Sequence, residues 1–152
     1  MQGYWVLKSE PDCYSLEDLR RDKTAFWDGV RNYQARNFIR DEMKEGDLCI
    51  FFHASAVPPH AAGVCRIIKA ASPDPTQFDP AADHFDADSD PAHPRWYGVD
   101  IAFTSVFSHP VSLSEMKENP ALRGMQLLAR GNRLSVMPAS RGEFETIVKM
   151  GN

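Results

Sequence analysis

Three segments of this 152-residue chain carry polar and aromatic side chains that core packing does not explain. Lys8-Ser9-Glu10-Pro11 offers an ammonium, a hydroxyl and a carboxylate in succession, and Pro11 stops a strand so that they sit at a rim. Trp27-Asp28-Gly29-Val30-Arg31-Asn32 gathers a large aromatic, a carboxylate, a guanidinium and an amide in one turn. Arg130-Gly131-Asn132-Arg133-Leu134-Ser135 adds two cations around a glycine that lets backbone approach a ligand closely. A stacking surface, hydrogen-bonding groups and positive charge are what binding a planar base beside a phosphate requires. Each residue also has a packing role open to it. Trp27 can be a core aromatic, Asp28 a partner for Arg31, Asn32 a helix cap, and His53 a hydrogen-bonded wall residue rather than a catalyst. Trp5 and Trp96 lie inside strand-like runs and are assigned to the core.

Other chemistry is excluded by spacing. Asp86-x-Asp88-x-Asp90 opens like a calcium loop, but Pro91 stands where the turn glycine belongs and Tyr97 where the bidentate glutamate should be. The five histidines show neither HExxH nor a CxxC partner, so no metal site is expected. GxxxxGK[ST], GxGxxG and GxSxG are all missing from the sequence, and no cofactor is expected.

These residues must be positioned by a modest set of elements. Tyr4 to Lys8 reads as a strand, and Ser15 with Asp18 as a capping box opening a short helix. Asn32 is placed to cap a second helix to about Met43, with Phe38 and Ile39 inward and Arg36 and Arg40 on an outer face. Gly46-Asp47 turns the chain into Leu48-Cys49-Ile50-Phe51-Phe52, a buried strand whose neighbour is Val64 to Ile68. Arg95 to Phe107 reads as one long strand, bulged near Gly98. Capping boxes recur at Ser112 with Glu115 and at Ser140 with Glu143, the latter opening a C-terminal helix that ends at Gly151. Strands outnumber long helices and do not alternate with them, so an α+β fold is expected, with a curled sheet or small mixed barrel and not a doubly wound one. The longest irregular segment is Ser72 to Pro94, crowded with prolines and aspartates.

Hydrophobic residues at 43% and charged residues at 25% describe an ordinary globule, which excludes a disordered tail and a membrane-spanning chain. One domain over residues 1–152 is expected. Three cysteines without CxxC spacing favour a reducing setting, and the N-terminus holds no apolar run of signal-peptide length, so a cytoplasmic protein is expected. The net charge of −4 argues against a nucleic-acid partner until its distribution is considered. Residues 74 to 100 hold seven acids and one base, leaving 14 acids against 16 bases elsewhere. Cations are therefore expected near the pocket, with the acidic segment placed away from it.

Several of these segments resemble the EVE-domain family. They are Tyr4-Trp5 through Pro11, the block Trp27-Asp28-Gly29-Val30-Arg31-Asn32-Tyr33-Gln34-Ala35-Arg36-Asn37, Pro73-Asp74-Pro75-Thr76 with Phe78-Asp79-Pro80, Pro94-Arg95-Trp96 with Val99-Asp100, and Arg130-Gly131 with Arg133-Leu134-Ser135-Val136. The resemblance runs from residue 4 to the C-terminal helix. It implies a PUA-like fold, a small mixed β-barrel of about five to six strands with short peripheral helices, related to the YTH readers of methylated adenine in RNA. It further implies a reader of modified bases that flips the base into a pocket, with modified cytosine in DNA favoured over RNA. On the matching positions, Ser9, Trp27, Asn32, His53, Leu134 and Ser135 would form the base pocket, and Lys8, Arg31, Arg130 and Arg133 would hold phosphate. Phe52, Ala54 and Asn132 depart from the family pattern, where Tyr, Ser and Ser are common; two hydroxyls are lost and one polar side chain grows. The alternative is a hydrolase of modified nucleosides using Lys8, Ser9 and Glu10, a set that related barrels can carry. Neighbours on an extended strand point to opposite faces, so those three converge only if the strand breaks at Ser9.

Overall fold

The computed structural model describes residues 2–152, and its framework is one mixed six-stranded sheet. Its strands are β1 (Tyr4–Ser9), β2 (Thr24–Trp27), β3 (Leu48–His53), β4 (His60–Pro73), β5 (Tyr97–Ser112) and β6 (Val136–Ala139). They lie in the order β2-β5-β4-β3-β1-β6. β1 and β3 run parallel, from Tyr4 opposite Leu48 to Ser9 opposite His53, and the remaining pairs are antiparallel. The register between β4 and β5 slips at four places; each irregularity adds local bend and twist, and together they curl the sheet around its core.

The helices are short: α1 (Leu16–Asp22), α2 (Tyr33–Asn37), α3 (Leu113–Glu118) and α4 (Arg141–Gly151). Ser15, Ser112 and Ser140 each open one with a complete capping box, as their spacing to Asp18, Glu115 and Glu143 requires. Leu7, Ile50, Phe51, Ile67, Ile101, Met116 and Ile147 are among the side chains enclosed between sheet and helices. No helix among the described residues is long and apolar enough to cross a membrane.

Four local expectations change. Trp27, placed by the sequence in the turn that runs to Asn32, instead closes a strand, β2, paired to β5 from Thr24 opposite Ala102 to Trp27 opposite Val99. β5 begins at Tyr97 instead of Arg95 and continues to Ser112. The second helix changes hand-hold after Asn37, passing into a wider π turn over Phe38–Glu42, and Arg36 leaves the outer face to donate to the Arg95 carbonyl at 2.7 Å.

The fourth change concerns the proline-rich segment. β4 extends to Pro73, and Pro75–Phe78 then forms a 3-10 turn. Beyond it Gln77, wholly buried, donates to the carbonyls of Asp74 and Trp96 and accepts from Ser89 Oγ and the backbone N–H of Arg95 and Trp96. One amide therefore satisfies main chain from both ends of the segment, which folds it back as an ordered flap. Asp47, just before β3, does similar work, accepting from Gly3 N, Lys44 N and Trp5 Nε1.

Candidate functional site

β1 ends at Ser9 because the Glu10 carbonyl accepts the N–H groups of Cys13 and Tyr14, turning the chain away from the sheet. β2 ends at Trp27, and β5, β4 and β3 lie between it and β1 in the curled sheet. Between these strand ends lies a cavity of about 620 Å³, within the range of small-molecule sites. Ser9, Trp27 and Ser135 line it together with Lys8, Glu10 and Asp28. The Trp27 indole is half-buried and makes an edge-to-face contact with Phe51, ring centroids 5.6 Å apart at 88°, so the core holds part of the ring and the cavity meets another part. Its backbone is drawn in by Gly98, where a Cβ would stand 2.2 Å from the Trp27 carbonyl oxygen. The Ser9 hydroxyl donates to the Tyr14 carbonyl, which leaves its oxygen lone pairs as acceptors. Burial and the nearby Asp74 charge push the Asp28 carboxyl up from its ordinary range. Tyr14, also on the wall, is partly buried and donates to Asp22, which pushes its phenol up to about 12 and keeps it neutral.

Arg31 is not at the cavity surface as a free cation. Nε and Nη2 donate to the His84 carbonyl, Nη1 to the Val30 carbonyl and to Asp74, and Nη2 also to Thr76 Oγ1. All five N–H groups are engaged inside the protein, which leaves none for a phosphate. Asp74 is wholly enclosed: burial alone would raise its pKa, but hydrogen bonds from Thr76, Gly29 and Arg31 outweigh this and hold the carboxylate low. Through Gly29 N–H at 2.8 Å, this pair fixes the turn that follows Trp27.

Asn32, His53 and Leu134 do not line this cavity. Asn32 Oδ1 accepts from Ala35 N at 3.0 Å and caps α2. His53 Nε2 accepts from Leu16 N at 3.1 Å, at the start of α1, and its Nδ1 faces His60 Nε2 at 3.1 Å. Leu134 is buried in the core. Arg133 is exposed, and Arg130 lies on a second cavity that also includes Phe52, Ala54 and Asn132, the three positions that depart from the family pattern. The acidic flap does not keep away: Asp83 and His84 form part of the first cavity's wall, since the Arg31–His84 bonds pull the flap onto the Gly29 turn. His84 and Tyr14 lay outside the sequence-based set; the flap's Pro-Asp composition hid the first, and nothing local marked the second.

The EVE domain family matches residues 3–150. The chain belongs to the EVE domain family. Thymocyte nuclear protein 1 of Gallus gallus is 37% identical over 166 residues, covering 97% of this chain and 68% of the chicken protein. A crystal structure of a Pseudomonas syringae protein superposes with a TM-score of 0.94 at 42% identity, covering 98% of this chain and 99% of that one. The human THYN1 protein in complex with 5-methylcytosine-containing DNA superposes with a TM-score of 0.93 at 35% identity, covering 99% of this chain and 98% of that one. The six-stranded mixed sheet with four short helices is thus the EVE fold, of PUA-like type.

Proposed function

We propose that this EVE domain reads modified bases in nucleic acid, with DNA carrying a modified cytosine as its ligand, and takes the base by extruding it into the cavity beside Trp27. The observation that carries the reading is the half-exposed Trp27 indole on the wall of a cavity that also holds Ser9 and Ser135. Its likeness to human THYN1, which has been captured with 5-methylcytosine-containing DNA, supports the ligand class. Residues 1–152 would act as a single domain, and three unpaired cysteines fit a cytoplasmic protein.

The energetics are balanced. Extrusion costs a few kcal/mol in lost stacking and pairing. Stacking on Trp27 returns about 1–3 kcal/mol, and phosphate contacts supply salt-dependent affinity. Ser9, whose proton is committed to Tyr14, is an acceptor suited to the exocyclic amino group of cytosine. A buried methyl contributes about 0.8 kcal/mol, under a tenfold preference.

The reading is of a binding protein and not a hydrolase. Lys8, Ser9 and Glu10 do share the cavity, but the Ser9 proton rests on a main-chain carbonyl, which cannot take it away as a general base would. Fluorescence polarisation on matched duplexes, one with a single 5-methylcytosine and one unmodified, tests the proposal. Tighter binding of the modified duplex, with no product when modified nucleosides are incubated with the protein, is the expected result. Equal affinity, or a released product, would overturn it.

A further inference from the structure

A second cavity, of about 550 Å³, adjoins the first through Lys8, which lines both. The two differ in charge. Glu10, Asp28 and Asp83 reach the first, whereas the second is lined by Lys8, Lys117 and Arg130 and by no carboxylate. Among the described residues, none of these three cations has an acidic partner within 4.0 Å, although Arg31, Arg95 and Arg141 each have one. Lys117 and Arg130 are exposed, while Lys8 is half-buried, and that burial pushes its ammonium down from its usual range. A charge that has lost water without gaining a counter-charge is stabilised by an anion placed against it.

The rest of the lining is mainly apolar, including Leu113, Leu127 and Leu128. The loop carrying Arg130 is held in shape from within: Asn132 Nδ2 donates to the Gln126 carbonyl at 2.7 Å, and Asn132 Oδ1 accepts from Leu134 N at 2.9 Å. Clustered cations beside an apolar floor suit a ligand that is anionic at one end and flat or apolar at the other. A nucleotide has that chemistry, and Lys8 joins this cavity to the one assigned to the base.

We propose that the second cavity is a subsite for the nucleotide flanking the extruded base, with its phosphate held by Lys117 and Arg130 and its sugar and base seated on Leu113, Leu127 and Leu128. The inference rests on the reader function proposed above. It makes the recognised unit a stretch of strand longer than one nucleotide. The apolar floor tolerates any base at the flanking position, because every base has a stacking face.

The test compares 5-methyl-2′-deoxycytidine with single-stranded trinucleotides that carry 5-methylcytosine at the 5′ end, the centre or the 3′ end. Each is titrated against the wild-type protein, Lys117→Gln/Arg130→Gln and the remote control Lys44→Gln/Lys149→Gln. The nucleoside should bind all three proteins alike. Extension on one side should raise wild-type affinity by at least about tenfold, and the Lys117→Gln/Arg130→Gln protein should lose that gain along with about 0.7 of the single-strand log–log salt slope, the share of the one phosphate those two side chains hold. If extension adds nothing, or if both double variants lose affinity equally, the subsite is overturned while base reading stands. If the wild-type protein binds neither nucleoside nor trinucleotide, the reader function fails and the subsite falls with it.

Discussion

Arg31 and Asp74, 43 residues apart in sequence, form an ion pair at 2.9 Å in which the carboxylate is wholly enclosed and the arginine side chain is 21% exposed. The pair ties the turn after Trp27 to the base of the acidic flap, since Asp74 also accepts from Gly29 N and Thr76 N. Arg31→Ala would leave a buried carboxylate without its counter-charge, and a stability loss of about 3–5 kcal/mol is expected, read from the urea midpoint. The folded pKa of Asp74 lies below its ordinary value, so its contribution is present above the unfolded pKa and is lost as pH falls through the folded one. A phosphate-binding arginine would behave differently: its removal would spare the midpoint and flatten the salt dependence of DNA binding.

Gly29 has φ near +78°, and a Cβ there would stand 2.8 Å from the His84 ring. Gly29→Ala therefore meets both left-handed backbone strain and a side chain that must move. A stability loss of about 1–2 kcal/mol is expected from the backbone term alone, with weaker ligand binding because His84 is part of the cavity wall. Thermal unfolding and a titration of the variant check the two effects separately. Unchanged values in both would show that the turn is not held as described.

The caps, β1 and β3 were readable because their signals are local: an oxygen three residues before its partner, or an apolar run of strand length. β2 was not, since Thr24–Trp27 spans four residues without an alternating pattern and becomes a strand only by pairing with β5. In the site, Trp27, Ser9 and Ser135 converge on one cavity, as their places at strand ends and turns suggested. Arg31 misled because its neighbour in sequence is Asp28, while its partner is Asp74. Asn32 and His53 do not line that cavity, and their hydrogen bonds go to the α2 cap and to Leu16 N. Which of two roles a polar side chain takes is decided by contacts across the fold.

His53 also couples stability to pH. Its Nε2 accepts from Leu16 N, so the neutral ring carries its proton on Nδ1 and donates to His60 Nε2, and His60 in turn donates from Nδ1 to the Pro58 carbonyl. Burial, then the charge of His60, lowers the His53 pKa. A base with a depressed folded pKa favours folding fully above its unfolded value of about 6.5, and that stability is lost as pH falls from there through the folded value. Melting temperature between pH 7 and 5 should drop less steeply for His53→Gln than for the wild-type protein. Parallel curves would contradict the assignment.

If Trp27 carries the extruded base, its fluorescence must respond when DNA binds. Trp5 and Trp96 are enclosed at 4% and 5% exposure, so Trp27 is the one tryptophan of the three placed to stack on a ligand. Titrating DNA that contains 5-methylcytosine while following both emission and polarisation should show quenching in step with binding by the wild-type protein. In Trp27→Phe the quenching should disappear while weaker binding persists. Quenching that survives in Trp27→Phe, or binding by the wild-type protein with no change in emission, would contradict the account.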